Sequence, residues 1–322
     1  LAFESSLFTL VRRVKPTWFS ALVAAHRGCS QDAPENTLAA FSRAVDVGAD
    51  LVEFDVHVSA DGDVVVIHDE KVDRTTDGSG EVARLSTEEI RALDAGSWFS
   101  DAYSGEPVPL LDDVLDLLKG RAVPLVEIKA KRKKAPDCGA RVIAALERHG
   151  MLDEAVVICR DVERAREVSA ASPTTPLAYL TFTKRGARGA SRLAGVGGLD
   201  IYWKSLSLRL VSDLRRRAGF FLLPWTVNRR VDQERLLLLG LETLITDSPG
   251  ALRDLIERFE FARAAEVLDR FRRTGQDVDL ETDATAAPPL PDEPEEEVSD
   301  ADLASSEDVR DELGTDSEVD IR

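Results

Sequence analysis

The chain has 322 residues, 43% of them hydrophobic, enough for one large α/β domain or two ordinary ones with a sizeable core. Its net charge of −18 is unevenly spread: 18 of the 59 Asp and Glu but only two of the 41 Lys and Arg, Arg310 and Arg322, lie from Gln276 onward. The body is therefore near neutral and the tail acidic, which argues against nucleic acid as a partner, because the body has no basic excess and the tail repels phosphates.

The first residues, LAFESSLFTLVRRVKPTWF, have no basic segment ahead of their apolar stretch and no small-residue cleavage site. No run approaches the ~18 apolar residues of a membrane-spanning helix. Residues 1–20 are read as an N-terminal extension in which Arg12, Arg13 and Lys15 flank Phe3, Leu7, Phe8 and Leu10. Packing as a lid under the body is the favoured reading; a short interfacial helix making peripheral membrane contact is the other. The cysteines Cys29, Cys138 and Cys159 are odd in number and lack metal-ligand spacing, so reduced thiols in a cytoplasmic protein are expected. Cys29, beside a glycine turn, reads as a small packed side chain and not a nucleophile.

Residues 21–275 repeat one pattern, a short apolar run ending in polar residues and then an amphipathic helical stretch. The runs are Ala21 to Ala25, Asp50 to Val56, Ala122 to Ile128 and Ala155 to Cys159, followed by Pro176 to Leu180, Leu199 to Trp203, Phe220 to Trp225 and Leu241 to Thr246. Helices are expected from Glu35 to Val47, stopped by Gly48, and from Asp137 to His149, stopped by Gly150. Ser86 with Glu89 forms a capping box, and Ser248 with Pro249 opens a last helix over Ala251 to Arg273. Eight strands in about 250 residues match a (β/α)8 TIM barrel. A doubly wound open sheet is the alternative, but HRGCSQ after the first strand is no glycine-rich nucleotide loop. The stretch from about 70 to 107 is read as a small insertion between barrel strands 2 and 3. Residues 276–322, poor in large apolar side chains and strongly acidic, are expected to be disordered.

Barrel sites form at the C-terminal ends of strands. The first run ends in His26-Arg27-Gly28, the second carries Glu53, Asp55 and His57 on one face, the next segment ends in His68-Asp69, and Glu127 and Lys129 share a face at the end of the third. Buried carboxylates on a strand need compensation. Glu53, Asp55 and Glu127 without a thiolate make an oxygen-donor site for one divalent cation, Mg²⁺ or Ca²⁺. Arg27 and Lys129 supply charge toward a phosphate, and a pair of histidines provides the base and acid of phosphodiester cleavage. His57 lies further along its strand and reads as a packing or hydrogen-bonding residue. His149, at a helix end, reads as a surface or capping residue.

The segments AHRGCSQDAPENT, VEFDVHVSADGDVVVIHDEKVDRTTDGSG, LVEIK, WTVN and LITDSP resemble the glycerophosphodiester phosphodiesterase family, with the likeness running through most of residues 21–249. That resemblance implies His26 and His68 as the general acid–base pair, Glu53, Asp55 and Glu127 as metal ligands, and Arg27 and Lys129 on the phosphate. It implies Trp225 on the pocket wall, and Glu35 and Asn36 beneath the site, where a plain helix start is the competing reading. The basic loop Thr183 to Arg192 faces the mouth side, either to favour anionic substrates or as a solvated helix start.

The implied activity is metal-dependent hydrolysis of small glycerophosphodiesters to glycerol 3-phosphate and an alcohol, by attack of water or of the glycerol hydroxyl through a cyclic phosphate. The alternatives are a lysophospholipase D or sphingomyelinase D-like activity on lipid phosphodiesters, and a non-catalytic barrel acting through its acidic tail.

Overall fold

The computed structural model describes residues 6–14, 21–129, 135, 137–215, 220–259 and 273. Eight parallel strands form the barrel wall: β1 (Leu22–Ala25), β2 (Leu51–Val58), β4 (Val123–Ile128), β5 (Val156–Cys159), β6 (Leu177–Thr181), β7 (Gly198–Tyr202), β8 (Phe221–Trp225) and β9 (Thr243–Thr246). Their order is β8-β7-β6-β5-β4-β2-β1-β9, and the amide of Val227, just past β8, donates to the Ile245 carbonyl of β9 to bring the two ends together. Each apolar run marked in the sequence supplies one barrel strand, so the TIM-barrel expectation holds and the open sheet is excluded.

Alternation along each strand divides the core in two. On β2, Val52, Phe54 and Val56 pack outward under the helices, while Leu51 joins an inner cluster with Leu22, Val123, Leu125, Val156, Ile158, Phe221 and Leu223. Phe54 is fully buried 5.5 Å from Phe41 of helix α2 (Leu38–Asp46). Phe54→Ala leaves a cavity there and is expected to cost about 3–5 kcal/mol of stability, read by chemical denaturation.

Helix α1 (Ser6–Val14) places Leu7, Leu10 and Val11 in the inner cluster against residues at the N-terminal ends of the strands. The lid reading is the one the fold adopts. A membrane-contact reading would need the same Leu7 and Leu10; Phe3 and Lys15 lie outside the described residues. Among the described residues no helix is long and apolar enough to cross a membrane.

The segment between β2 and β4 opens with a short strand absent from the expected pattern, β3 (Val64–Val66), antiparallel to β2 with His57 opposite Val65. Three residues are too few to show a period, so the hairpin was not evident. A separate small core of Val65, Ile67, Val72, Val82, Ile90, Ala95 and Val108 holds the insertion together. Helix α3 (Thr87–Arg91) carries the expected Ser86/Glu89 capping box, and α4 (Leu111–Leu118) leads back to the wall.

Helix ends agree with the sequence in part. Helix α5 (Cys138–His149) ends on Gly150 at φ 68°, a left-handed position suited to glycine. The helix expected from Glu35 starts later, at Leu38, because Thr37 caps it by accepting from the Ala40 amide; Glu35 and Asn36 remain in the loop. Helix α10 (Pro249–Arg258) follows Ser248 but receives no bond from its side chain. It stops where Phe259 turns extended and packs on the outer core, and residues 260–272 of the stretch expected to run on to Arg273 lie outside the described residues. The acidic stretch 276–322 lies outside the described residues.

Candidate active site

The turn after β1 is bent tightly. Arg27 has φ 50° and Gly28 φ 87°, the first an arrangement that costs a non-glycine residue about 1–2 kcal/mol. A Cβ on Gly28 would sit 2.7 Å from that of Ala40, so only glycine lets the turn lie against α2. The turn aims the Arg27 amide at Glu53 Oε2, 3.0 Å away. Strain of this kind persists where surrounding contacts over-determine it.

Glu53 and Asp55 on β2 and Glu127 on β4 are all buried and offer oxygens within 4.8 Å of one another. The registration of Asp55 opposite Glu127 across neighbouring strands explains the proximity. Burial, and then the charge of Asp55, pushes the Glu53 carboxyl up to about 8. Asp55 is buried as deeply, yet the charges of Lys129, His68 and Arg27 outweigh burial and hold its carboxyl well below the usual range. Lys129 Nζ lies 2.8 Å from Glu127 Oε1 and 3.4 Å from Asp55 Oδ1, and Arg27 Nε lies 3.4 Å from Asp55 Oδ2. An all-oxygen, anionic donor set in a buried pocket fits a hard divalent cation.

Both predicted histidines have one ring nitrogen held. His26 Nδ1 donates to Asp247 Oδ1 at 2.7 Å, and His68 Nδ1 donates to Asp69 Oδ1 at 2.7 Å. A carboxylate only accepts, so Nδ1 carries the proton and Nε2 is left for chemistry. His26 Nε2 lies 4.0 Å from Glu53 Oε2. Burial and Arg27 oppose its protonation, but Asp247 and Glu53 prevail and its pKa is raised. Asp247 is itself brought down to about 2: burial opposes this, and the His26 charge together with bonds from His26, Asn228 and Ser30 outweighs it. His57 takes no such place. Its Nε2 donates to the His68 carbonyl at 3.0 Å, bracing the neighbouring chain as the sequence suggested.

Asn36, at φ 58°, donates from Nδ2 to Asp55 Oδ2 at 2.9 Å and accepts from the Asp55 amide at 3.2 Å. Glu35 accepts from Arg27 at 3.0 Å and from Arg74 at 2.7 and 2.9 Å. Both lie beside the carboxylate cluster, and the helix-start reading is set aside. Arg74, on the insertion, also donates to Asp69 at 2.9 Å. One guanidinium thus joins the carboxylate partner of Arg27 to that of His68. Arg74→Met is expected to lower kcat roughly tenfold by loosening both arms, with Arg74→Lys recovering only part, since an ammonium cannot fork to two carboxylates. Steady-state kinetics of the two variants check this.

Trp225 ends β8 with Phe182 5.2 Å away, edge to face, and Tyr202 5.9 Å away. On β7, Asp200 is buried with no hydrogen-bond partner for Oδ1 among the described residues, and burial, then Glu127 and Glu53, push its carboxyl well above the usual range. His149 lies apart, at the end of α5, paired with Asp112 at 2.8 Å and Asp116 at 3.2 Å. The Cys29 thiol is pushed up to about 11 by burial and Asp32, consistent with a packed, unreactive side chain.

Asp69 is noted in the sequence beside His68, and Asn228 and Asp247 fall within the WTVN and LITDSP segments, but none of the three is given a role there; Arg74 and Asp200 are not singled out at all. Asp247 directly follows β9, so the strand-end rule extended by one residue points to it. Arg74 carries no local signal.

The structural arrangement has relatives. The model of the glycerophosphoryl diester phosphodiesterase family matches residues 26–251. A glycerophosphodiester phosphodiesterase of Caldanaerobacter subterraneus subsp. tengcongensis is 35% identical over 240 residues, spanning 74% of this chain and 98% of that protein. One from Bacillus subtilis is 33% identical over 248 residues, spanning 71% and 84%. Among solved structures, an Oleispira antarctica phosphodiesterase in complex with the product sn-glycerol-3-phosphate superposes with TM-score 0.69 at 29% identity, covering 73% of this chain and 96% of that one.

Proposed function

The chain belongs to the glycerophosphodiester phosphodiesterase family, a family of phosphoric diester hydrolases, and from that premise we propose that it converts glycerophosphodiesters to glycerol 3-phosphate and an alcohol with His26 and His68 as the acid–base pair. The observation that carries this reading is the pair of carboxylate-held histidines flanking a buried three-carboxylate cluster. The product bound by the Oleispira antarctica relative supports the choice of substrate class.

Glu53, Asp55 and Glu127 would hold one divalent cation, Mg²⁺ or Ca²⁺, and the cation when bound would withdraw charge from the phosphoryl oxygens. Arg27 and Lys129 bind and orient the phosphate from the two sides of the cluster. Each is itself fixed by carboxylates, Arg27 by Glu35 and Lys129 by Glu127, so little orientation is lost on binding. Nε2 of one histidine takes the proton of the attacking hydroxyl, and Nε2 of the other gives a proton to the leaving oxygen. His26 suits the donor role, because Asp247 and Glu53 favour its imidazolium. Asp247 and Asp69 keep each ring in the required tautomer. Trp225 with Phe182 and Tyr202 forms the apolar wall opposite.

The test is release of glycerol 3-phosphate from a panel of glycerophosphodiesters by the purified chain, with Mg²⁺ or Ca²⁺ and after chelation. Metal-dependent release is expected. A chain that releases none from any diester, with lysophosphatidylcholine included as the lipid competitor, refutes the proposal.

A further inference from the structure

The groups assigned to chemistry occupy one side of the barrel mouth, on β1, β2, β4 and the turns behind them. The other side is built from the ends of β5 to β8 and carries Arg160, Phe182, Tyr202 and Trp225. Arg160 directly follows β5 and shares the parity of Val156 and Ile158, which lie in the inner cluster. Its guanidinium lies over the ring of Phe182, 4.7 Å from the centroid, and Phe182 belongs to the same inner cluster. Glu127 of β4 stands opposite Ile158 of β5. Lys129 follows β4 by one residue and Arg160 follows β5 by one, so both stand where these neighbouring strands open onto the mouth.

A phosphodiester has two arms, and one of them must lie over this side once the phosphate sits between Arg27 and Lys129. The glycerol arm offers only hydroxyls; the alcohol arm varies in charge. An aromatic wall of Phe182, Tyr202 and Trp225 alone would favour a quaternary ammonium through cation–π attraction. Here a guanidinium already covers the Phe182 face and repels a second cation. A guanidinium carries its N–H donors in one planar fork, the geometry that matches phosphate oxygens. The same rim carries exposed Lys184 and Arg185 at the start of α7 (Lys184–Ala190) and exposed Lys204 over Trp203.

Resting on the activity proposed above, we infer that the Arg160–Phe182–Tyr202–Trp225 face is the alcohol-arm subsite and that Arg160 selects glycerophosphodiesters whose alcohol bears a second phosphate over those whose alcohol is a quaternary ammonium. This assigns a charge preference to the site, not a different reaction.

The test compares kcat/KM for glycerophosphoinositol 4-phosphate, glycerophosphoinositol and glycerophosphocholine, with wild type and Arg160→Gln. The wild type is expected to favour the phosphorylated alcohol and to rank the choline diester last. Arg160→Gln is expected to lose about tenfold on the phosphorylated substrate, to lose clearly less on neutral glycerophosphoinositol, and to gain on the choline diester. A titration of tryptophan fluorescence with inositol 4-phosphate reads the same subsite without turnover, and its response is expected to weaken in the variant. A wild-type preference for the choline diester overturns the inference. So does an equal loss on neutral and phosphorylated substrates, which would put the glycerol arm against Arg160. Absence of turnover with Arg160-dependent inositol 4-phosphate binding intact would refute the proposed reaction while upholding the subsite; absence of both refutes both.

Discussion

Glu53→Gln is expected to lower kcat/KM by roughly 10³-fold or more while leaving the metal-free protein more stable than wild type at alkaline pH. The activity loss follows from removing one of three carboxylates that would hold the cation, whose charge stabilisation is worth several kcal/mol. The stability gain follows from the raised carboxyl of Glu53, which moves from 4.5 to about 8 in the fold. Between those values the folded chain binds more protons than the unfolded one, so stability falls as pH rises through the window and levels off above it. Glutamine has no charge to bury and escapes that loss. Thermal unfolding of chelated protein across pH, with calorimetric titration of Mg²⁺ or Ca²⁺, separates the two effects. A variant that keeps turnover, or a chelated wild type whose stability relative to the variant is flat across that window, contradicts the assignment of Glu53.

His26→Ala and His68→Ala are each expected to lower kcat by about 10²–10⁴ with the fold intact, the range of a single acid or base in proton transfer. The two losses differ in kind. An acid is needed only when the departing alkoxide is basic, so a diester with a nitrophenol leaving group restores the variant that lacks the acid and leaves the variant that lacks the base slow. With His26 favoured as the proton donor by Asp247 and Glu53, the rescue is expected in His26→Ala. Rescue of His68→Ala instead reverses the two roles. Equal rescue of both, or of neither, removes the acid–base division between them.

Much of this site was legible in the sequence because barrel strands carry chemistry at their ends. Glu53 and Asp55 alternate by two on β2 and project to the same interior, and Glu127 does so on the neighbouring β4. His26 and His68 follow apolar stretches where the strand-end rule looks for them. Position along β2 argues against His57, and the family resemblance names His68; in the structure His57 pairs with Val65 in the hairpin and spends its Nε2 on a backbone carbonyl. The length of the first helix after β1 was misjudged because PENT resembles a helix start, whereas Asn36 is drawn into a left-handed position by its two bonds to Asp55.

The sequence by itself determined the eight-strand repeat and put Glu53, Asp55, Glu127, His26 and His68 at or near strand ends, since alternation and strand ends are local and can be read within a few residues; the pairing of the two histidines came from the family resemblance. Only the tertiary structure decided which distant groups complete them. Asp247 meets His26 across 221 positions because β1 and β9 are neighbours in the ring. Arg74 reaches both Glu35 and Asp69 because the insertion folds over the mouth, and α1 fills the barrel floor because its apolar face finds the inner cluster there. Those contacts depend on how the closed sheet brings strand ends and loops together, and no local period encodes that convergence.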